Sequence, residues 1–348
     1  MVDIATQLKE LGEQIDKSQT PDKLKTKIKS RLIQLEGLVE SSTFLPEYDR
    51  ITKYIDWVLR IPWQTKTTDI LDLTKIRSEL DSTHYGLESL KNRILEYVSV
   101  MKLKQEKGEE KEVFRAPILC FVGLVGTGKT TIAHSIAKSM GREYARIPFG
   151  GMGSPFDLRG QSRVHAEAEP GKIIKALADT GSRNPVVLLD EIDRVTDEGR
   201  SSIMGVLVEL LDPSQNNAFV DHYVDFPVDL SEVMFIATAN NTRHIATAVL
   251  DRIEPISMPS YSDQEKITIA KKYMLPKILK TAGISPGDFV IEEDVWPTIV
   301  RPLGFDSGMR TLERGVGAAV RKAAKLAVEG KQDKLVIDQS NVKEFLPQ

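Results

Sequence analysis

The octapeptide GLVGTGKT, Gly123 to Thr130, constrains the fold of this chain more than any other segment. It satisfies the pattern G-x-x-x-x-G-K-[ST] and lies between the apolar run ILCFV and the helical stretch TTIAHSIAKSM, the context that this pattern requires. Glycines let backbone N–H groups close around phosphates at a helix N-terminus, Lys129 can reach the terminal phosphates, and the Thr130 hydroxyl can ligate Mg²⁺. The predicted nucleotide-binding residues are Gly123, Leu124, Val125, Gly126, Thr127, Gly128, Lys129, Thr130 and Thr131.

Short apolar runs, PILCFVG, PVVLLD and VMFIATAN, alternate with helical stretches from Ala116 onward. This alternation is typical of a parallel α/β sheet. The single cysteine, Cys120, lies inside the first run. We therefore expect it to be a packed strand residue rather than a nucleophile, a disulfide partner or a metal ligand.

Polar side chains follow the second and third runs, where the strands should end. Asp190 and Glu191 come directly after four apolar residues, so we expect them beside the phosphate loop. Asp190 is predicted to hold the Mg²⁺ shell, and Glu191 to orient and deprotonate the attacking water. Asn240 ends the next strand, where its side chain can sense the γ-phosphate. An acidic pair after a strand is usually a solvated strand end, and the phosphate loop is what favours the catalytic interpretation.

Amphipathic helical patterns flank the predicted sheet on both sides. The first 63 residues contain three such patterns, and the third runs from Pro46 to about Leu59. After Pro259, helical segments alternate with the short strand candidates DFVIEED and KLVIDQ. We predict an N-terminal helical segment at 1–63, an α/β nucleotide-binding domain at 64–259, and a smaller, mainly helical domain at 260–348.

Charge and hydropathy argue against several classes of protein. The 47 Lys and Arg residues nearly balance the 50 Asp and Glu residues, and the net charge of -3 gives no basic excess for nucleic acid or an anionic membrane. No apolar run approaches the ~20 residues of a membrane span, and the N-terminus lacks the order of a signal peptide. We expect a cytoplasmic protein without a membrane partner. Nucleic acid remains an open alternative through a local patch, although such a patch is more often a solvated helix face: Lys23, Lys25, Lys27, Lys29 and Arg31.

Two arginines have structural and catalytic interpretations that spacing alone does not separate. Arg252, in LDRIEPI, follows a helix, where it can form a surface ion pair or serve as an arginine finger for a neighbouring subunit's nucleotide. Arg310, in SGMRTLER, begins a helix of the last domain, where it can cap that helix or reach the phosphates.

In this order, the segments resemble the AAA+ ATPase module of the Lon protease family. The phosphate loop, LLDEID, FIATAN, LLDPSQNNAFVDHYVD, LDRIE and GMRTLER carry the resemblance, together with YIDWVLRIPW, DSTHYGLESLKNRILEYVSV and YMLPKIL. It covers nearly the whole chain and implies an AAA+ P-loop NTPase with a preceding helical stalk and a helical lid domain. It also implies an ATPase that uses ATP and Mg²⁺, forms a homo-oligomer, expected as a hexameric ring, and drives unfolding and translocation of a polypeptide substrate.

The resemblance assigns roles to individual residues. It gives Asn240 the role of sensor 1, Arg252 that of the finger and Arg310 that of sensor 2, beside Lys129, Thr130, Asp190 and Glu191. Four further residues match positions that pack around adenine in this family: Tyr85, Gly86, Tyr261 and Ile269.

Two departures from the family concern substrate handling rather than nucleotide chemistry. The chain stops at VKEFLPQ, about where the peptidase domain of Lon, with its serine and lysine pair, would begin. In RVHAEAEPGK, His165 and Ala166 replace the aromatic and aliphatic residues of the pore loop that grip substrate, and Glu167 and Glu169 make the loop acidic. These departures leave a second hypothesis open, a peptidase-less relative that acts as a nucleotide-dependent binding, chaperone or scaffold protein.

Overall fold

The computed structural model of the protein describes residues 4–39, 41, 43–108, 118–165, 167–301, 308–330 and 334–346. Its strands are β1 (Ile118–Val122), β2 (Tyr144–Pro148), β3 (Val186–Asp190), β4 (Phe219–Val220), β5 (Pro227–Val228), β6 (Met234–Ala239), β7 (Ile253–Ser257), β8 (Phe289–Ile291) and β9 (Leu335–Ile337). Five of them form a parallel sheet in the order β2-β3-β6-β1-β7. The predicted apolar runs lie in β1, β3 and β6, which confirms the parallel α/β core.

Helices surround this sheet and form the two ends of the chain. They are α1 (Ile4–Lys17), α2 (Asp22–Glu36), α3 (Phe44–Arg60), α4 (Leu73–Thr83), α5 (Glu88–Glu106), α6 (Lys129–Met140), α7 (Phe156–Arg159), α8 (Lys172–Thr180), α9 (Arg200–Leu210), α10 (Thr247–Leu250), α11 (Asp263–Ile269), α12 (Leu275–Ala282), α13 (Trp296–Val300), α14 (Gly308–Val328) and α15 (Val342–Phe345). Within the described ranges, none of these helices has both the length and the apolar composition of a membrane span.

The register of the sheet brings the ends of three strands to one edge. Val122 of β1 pairs with Ala239 of β6, and Leu189 of β3 pairs with Ala237. Parallel strands point their carboxyl ends the same way, so the segments that follow β1, β3 and β6 meet at this edge. Every residue of β3 and β6 is buried, so the sheet holds these ends rigidly.

Cys120 lies in the middle of β1 and is fully buried. Burial raises the pKa of its thiol to about 12, which keeps it protonated at neutral pH. The structure therefore confirms Cys120 as a packed strand residue.

The first three helices pack on one another and on the sheet domain. Ile28 of α2 and Ile55 of α3 share one apolar cluster with Ala168 and Tyr223 of the sheet domain. The hydroxyl of Tyr54 donates a hydrogen bond to the carbonyl of Val224 at 3.0 Å. The predicted amphipathic faces therefore bury against each other and against the core of the same chain.

The last part of the chain has its own core around Trp296, which is 2% exposed. β8 and β9 pair in parallel, which confirms the two short strand candidates. A π-helical turn, Ala270–Met274, joins α11 to α12. The domain boundaries after residues 63 and 259 stay predictions.

His84 lies buried in the turn between α4 and α5 and connects that turn to α6. Its Nε2 is 2.9 Å from the hydroxyl of Thr131, and its Nδ1 is 2.9 Å from the hydroxyl of Thr83. The buried Lys91 donates hydrogen bonds to the carbonyl of His84 and to Asp81, both at 2.7 Å. Burial, and after it the positive charge of Lys91, lower the pKa of His84 to about 4. The imidazole that supports this turn is therefore neutral at pH 7.

We expect mild acid to destabilise the protein through His84. Its pKa is about 4 in the folded chain and 6.5 without the fold, so the unfolded chain binds more protons between these values. The contribution of the neutral His84 to the free energy of unfolding is therefore fully present above about pH 6.5 and is lost as the pH falls towards 4. At pH 5 the expected loss in the free energy of unfolding, relative to about pH 8, is on the order of 2 kcal/mol from this group alone.

Urea unfolding of wild type and His84→Gln at the two pH values measures this contribution. The glutamine cannot titrate, so the variant should lose less stability between them than the wild type does. The exposed His244 provides the matched control, His244→Gln, which should behave as wild type. Equal losses in wild type and His84→Gln would contradict the assignment.

Candidate nucleotide site

The loop between β1 and α6 has the backbone of a phosphate cradle. Gly126 and Gly128 have φ angles of 88° and 93°, a left-handed conformation that side chains resist. The Leu124 and Val125 side chains are exposed, whereas Thr127 is buried and donates a hydrogen bond to the Leu124 carbonyl at 3.0 Å. The loop is thus stabilised by a hydrogen bond of its own. It leads directly into the N-terminus of α6, where backbone N–H groups favour anions.

Lys129 lies buried at the start of α6, with its ammonium at the carboxyl edge of the sheet. Its Nζ donates hydrogen bonds to the carbonyl of Gly123, to that of Leu124 at 3.0 Å and to Oδ1 of Asn240 at 3.2 Å. Burial lowers the pKa of Lys129, and the carboxylates of the Asp190 to Asp193 segment oppose that shift. The positive charge is therefore held beside the acidic end of β3.

Thr238, fully buried in β6, organises that acidic end. Its hydroxyl donates to Oδ1 of Asp190 at 2.5 Å and accepts from the backbone N–H of Glu191 at 2.8 Å. Glu191 has φ 59° and ψ 50°, a left-handed conformation that is uncommon for a residue with a side chain. The Thr238 bond holds the backbone in this turn. Sequence reasoning missed Thr238, although a hydroxyl inside the apolar run FIATAN was a usable signal.

Arg146 of β2 forms an ion pair with Asp190. Its Nε and Nη2 lie 2.7 and 2.6 Å from Oδ2 of Asp190, and the carboxylate is 5% exposed while the arginine side chain is 49% exposed. The arginine thus compensates the charge of Asp190 at the end of β3. Arg146 could not be singled out from the sequence, because a charged residue in a short strand carries no distinctive pattern.

The arrangement suits Mg²⁺ delivered with a nucleotide. Among the described residues, no cluster of three or more His, Cys, Asp or Glu side chains forms a metal cage. Mg²⁺ is usually bound through one or two protein oxygens together with substrate phosphates and water. Thr130, directly after Lys129, and Asp190, whose two oxygens are also bonded to Thr238 and Arg146, carry oxygens of that type.

Asn240 is held beside Lys129 by a residue that sequence reasoning also missed. Asp193, the last acid of LLDEID, is buried and accepts hydrogen bonds from the backbone N–H groups of Asn240 at 3.1 Å and Asn241 at 3.3 Å. The Nδ2 of Asn240 is buried and has no hydrogen-bond partner among the described residues. A buried donor without an acceptor is costly, and a phosphate oxygen would satisfy it.

Of the four residues predicted to surround adenine, Tyr261 contacts the phosphate loop directly. Tyr85 and Gly86 continue the turn that His84 connects to α6, and Gly86 has φ 63°. The hydroxyl of Tyr261 is 3.5 Å from the carbonyl of Thr127, and burial raises the pKa of this tyrosine to about 12. Ile269 packs into the core of the last domain together with Tyr261.

Arg310 lies at the start of α14, against the phosphate loop. A Cβ built on Gly126 would be 3.5 Å from the backbone nitrogen of Arg310 and 3.7 Å from its Cγ. The side chain itself is exposed. The structure thus brings the predicted sensor 2 arginine to the loop, on a helix N-terminus whose dipole also favours phosphate.

Arg252 lies at the amino-terminal end of the parallel strands, whereas this chain's own phosphate loop lies at their carboxyl end. It precedes β7, its carbonyl accepts from Ile118 at the start of β1, and the loop follows the other end of β1. The length of β1, roughly 13 Å, therefore separates the backbone of Arg252 from the start of the loop. The guanidinium donates to the Ala248 carbonyl at 2.8 Å and to Asp212 at 3.1 Å.

The ion pair with Asp212 is part of a wider set of bonds. Hydrogen bonds from Ser214, and then from Arg252, lower the pKa of Asp212 to about 2. Arg252 therefore forms an ion pair, as its structural interpretation predicts. It also lies far from the nucleotide site of its own chain.

In the predicted pore loop, some side chains are exposed and one forms ion pairs within the chain. His165 and Glu167 are exposed, and Ala166 lies outside the described residues. Glu169 is within 2.6 Å of Lys175 and 3.6 Å of Lys53, and the Lys175 hydrogen bond lowers the pKa of this carboxyl group. The charge of Glu169 is thus partly compensated by Lys175 and Lys53, and the acidic loop stays a prediction.

The basic patch considered for nucleic acid is partly occupied by contacts within the chain. Lys25 donates to the carbonyls of Asp16 and Ser18, and Lys29 is 2.5 Å from the Asp16 carboxylate. Lys27 is 2.5 Å from Asp225. These contacts favour the solvated helix face over a nucleic-acid site.

Comparison with known proteins identifies the sheet domain and the last domain. Residues 119–260 match the "ATPase family associated with various cellular activities (AAA)", and residues 280–336 match the "Lon protease AAA+ ATPase lid domain". The chain is 39% identical over 345 residues to a Lon protease of Lawsonia intracellularis, covering 99% of this chain and 40% of the relative. It is 44% identical over 301 residues to Lon protease 2 of Thermus thermophilus, covering 85% of this chain and 37% of the relative.

A Lon protease of Bacillus thuringiensis is 39% identical over 340 residues, which cover 98% of this chain and 42% of the relative. The chain thus spans about two fifths of the length of the curated relatives that it matches. The match to the lid is specific to Lon, and the match to the AAA domain includes the phosphate loop and the acidic end of β3. The chain is therefore an AAA+ ATPase module with a lid domain of the Lon type, similar to part of the Lon proteases.

Proposed function

We propose that this module binds ATP with Mg²⁺ and hydrolyses the γ-phosphate, and that it does so in a homo-oligomeric ring that unfolds and translocates polypeptides. The observation that carries the proposal is the grouping of Lys129, Asn240 and the Asp190–Glu191 pair at one edge of the sheet. The ring, expected as a hexamer, the polypeptide substrate and the cytoplasmic location are proposals from family resemblance and sequence.

Binding is proposed to rest on the phosphate loop and on two donors that already lie together. Lys129 supplies a positive charge, and the unpaired Nδ2 of Asn240 supplies a hydrogen bond for the terminal phosphate. Thr130 and Asp190 would hold Mg²⁺, which neutralises charge on the phosphate oxygens when it is bound. Tyr85, Gly86, Tyr261 and Ile269 would enclose adenine.

Hydrolysis is proposed to depend on Glu191 as the general base. Its backbone is fixed by Thr238 in a left-handed turn, so its side chain leaves the strand at a defined angle. Glu191 would orient a water molecule and accept its proton, while Asn240 keeps the phosphate in place. Arg310 would contribute positive charge from α14, close to Gly126.

Arg252 is proposed to complete the site of a neighbouring subunit. It is remote from the nucleotide site of its own chain, and its side chain is 29% exposed. An arginine placed at the transition-state phosphates accelerates hydrolysis strongly in other nucleotide-hydrolysing enzymes. This role requires an assembled ring.

The competing hypothesis, a nucleotide-dependent binding or scaffold protein, rests on the replaced grip residues of the pore loop. The exposed His165 offers less apolar surface than an aromatic hydrocarbon side chain. Stimulation of ATP hydrolysis by an unfolded polypeptide separates the two hypotheses, since a translocating ring couples the two activities and a scaffold does not.

We expect Glu191→Gln to bind ATP and to hydrolyse it about 10²- to 10⁴-fold more slowly, because the amide cannot accept the proton of the attacking water. Lys129→Ala should lose nucleotide binding itself. Fluorescent-nucleotide titration and phosphate release distinguish the two defects. Glu198→Gln makes the same chemical change at an exposed position nearby and should hydrolyse ATP as wild type does. Wild-type turnover by Glu191→Gln would show that the base is misassigned.

We expect rings that mix Arg252→Ala with Glu191→Gln chains to regain a minority of working sites. Each variant alone lacks one essential group, whereas a mixed interface joins an intact Glu191 to a neighbour's intact Arg252. ATPase activity of co-assembled rings, compared with each pure ring, provides the measurement.

Asp212→Asn is the control for a structural role, because it weakens the ion pair of Arg252 and leaves the guanidinium in place. It should retain much more activity than Arg252→Ala. If mixed rings shown to contain both chains stay inactive, the arginine acts within its own chain or only in folding.

A further inference from the structure

A cleft of about 670 Å³ separates the first helices from the sheet domain. One wall is formed by α2 and α3. The other is formed by Ser162 to Val164, directly before the pore-loop position His165, and by the segment from Val220 to Asp225. Its volume lies in the range of specific ligand sites.

The cleft has an excess of positive charge. Four cationic side chains and two anionic ones line it: Lys27, Arg31, Arg50 and Arg163, with Glu47 and Asp225. The two carboxylates can compensate only two of the four cations, which leaves an excess of two positive charges. Such an excess attracts an acidic ligand.

The ion pairs show where that excess lies. Asp225 is shared by Lys27 at 2.5 Å and Arg163 at 3.9 Å, and Glu47 is 3.0 Å from Arg50. Arg31 donates to the neutral amide oxygen of Gln34 at 3.2 Å, and within the described ranges no carboxylate pairs with it. Arg31 is therefore the cation most available to a ligand.

The same cleft presents apolar surface. Val164 is 80% exposed on the loop wall, and Leu38, two residues after the end of α2, is 39% exposed. Exposed aliphatic side chains beside a cation that no carboxylate of the described residues pairs with suit a ligand that has both apolar groups and negative charge. An extended polypeptide with acidic and aliphatic residues has this combination.

Nucleic acid fits the cleft less well. Single strands are bound by stacking bases on open aromatic faces. The aromatic ring of Tyr54 is covered by the Arg163 guanidinium, 3.8 Å from its centre, and its hydroxyl is already bonded to Val224. The available ring face is thus occupied from within the chain.

We propose that this cleft is a docking groove for an extended polypeptide segment rich in acidic and aliphatic residues. This inference rests on the proposed function, since it gives the substrate a binding site outside the nucleotide machinery. A segment held there lies beside His165, so the groove supplements a pore loop whose own grip residues are replaced. Arg31 binds the acidic side chains of the segment, and Val164 and Leu38 contact the aliphatic ones.

The test is fluorescence anisotropy of a labelled peptide of about ten residues, long enough to span roughly 30 Å when extended. The peptide alternates Glu with Leu, and its charge-reversed partner alternates Lys with Leu. Wild type should bind the acidic peptide at least about tenfold more tightly than the basic one, and more weakly as salt rises. Equal affinity for both peptides would overturn the proposal.

Arg31→Glu should weaken acidic-peptide binding by about tenfold or more, and Leu38→Ser should weaken it less. Lys23→Glu is the matched control, on the same exposed face of α2 but outside the cleft lining, and should bind as wild type. Wild-type affinity in Arg31→Glu, or tighter Arg31-dependent binding of a single-stranded oligodeoxynucleotide, would overturn the proposal.

Repeating the titration in the Lys129→Ala background separates this inference from the proposed function. Peptide binding that persists without nucleotide binding supports the groove, even if ATP hydrolysis proves to serve another purpose. Normal ATP hydrolysis with an Arg31→Glu chain that binds peptide as wild type does would refute the groove and leave the ATPase assignment standing.

Discussion

The hydroxyl of Thr238 links the two carboxylate residues on which the candidate site depends. It donates to Asp190 and accepts from the backbone of Glu191, and it can do both because β3 and β6 are neighbours in register. A buried hydroxyl with both bonds made stabilises its surroundings, whereas a lost partner would leave a costly polar group. Lys129, at the start of α6, and Asn240, directly after β6, are hydrogen-bonded to each other beside this edge.

Charges around this edge are arranged in opposition. Arg146 and Lys129 face the carboxylates of Asp190 and Asp193, so the buried charges have counterparts within the chain. Buried charges without partners would be strongly unfavourable. The proposed nucleotide would therefore enter a region whose charges are already compensated within the chain.

The sheet domain is contacted by the helices that precede it and by the last domain. Tyr54 of α3 contacts Val224 and Arg163, and Arg163 belongs to the loop that precedes His165. The last domain contacts the phosphate loop through Tyr261 and the start of α14. The sheet domain is therefore in contact with the parts of the chain on both sides of it in sequence.

The sequence alone determined the parallel α/β core, the phosphate loop and the ends of β3 and β6, because these depend on local composition and on residues that are adjacent in the chain. Tertiary structure alone decided that Thr238, Asp193, Arg146 and His84 support the site, because each acts on residues tens of positions away. It also decided that Glu169 is compensated by Lys175 and Lys53. Arg252, whose two interpretations spacing could not separate, lies far from its own phosphate loop because β1 and β7 run in parallel, a pairing that no local pattern specifies.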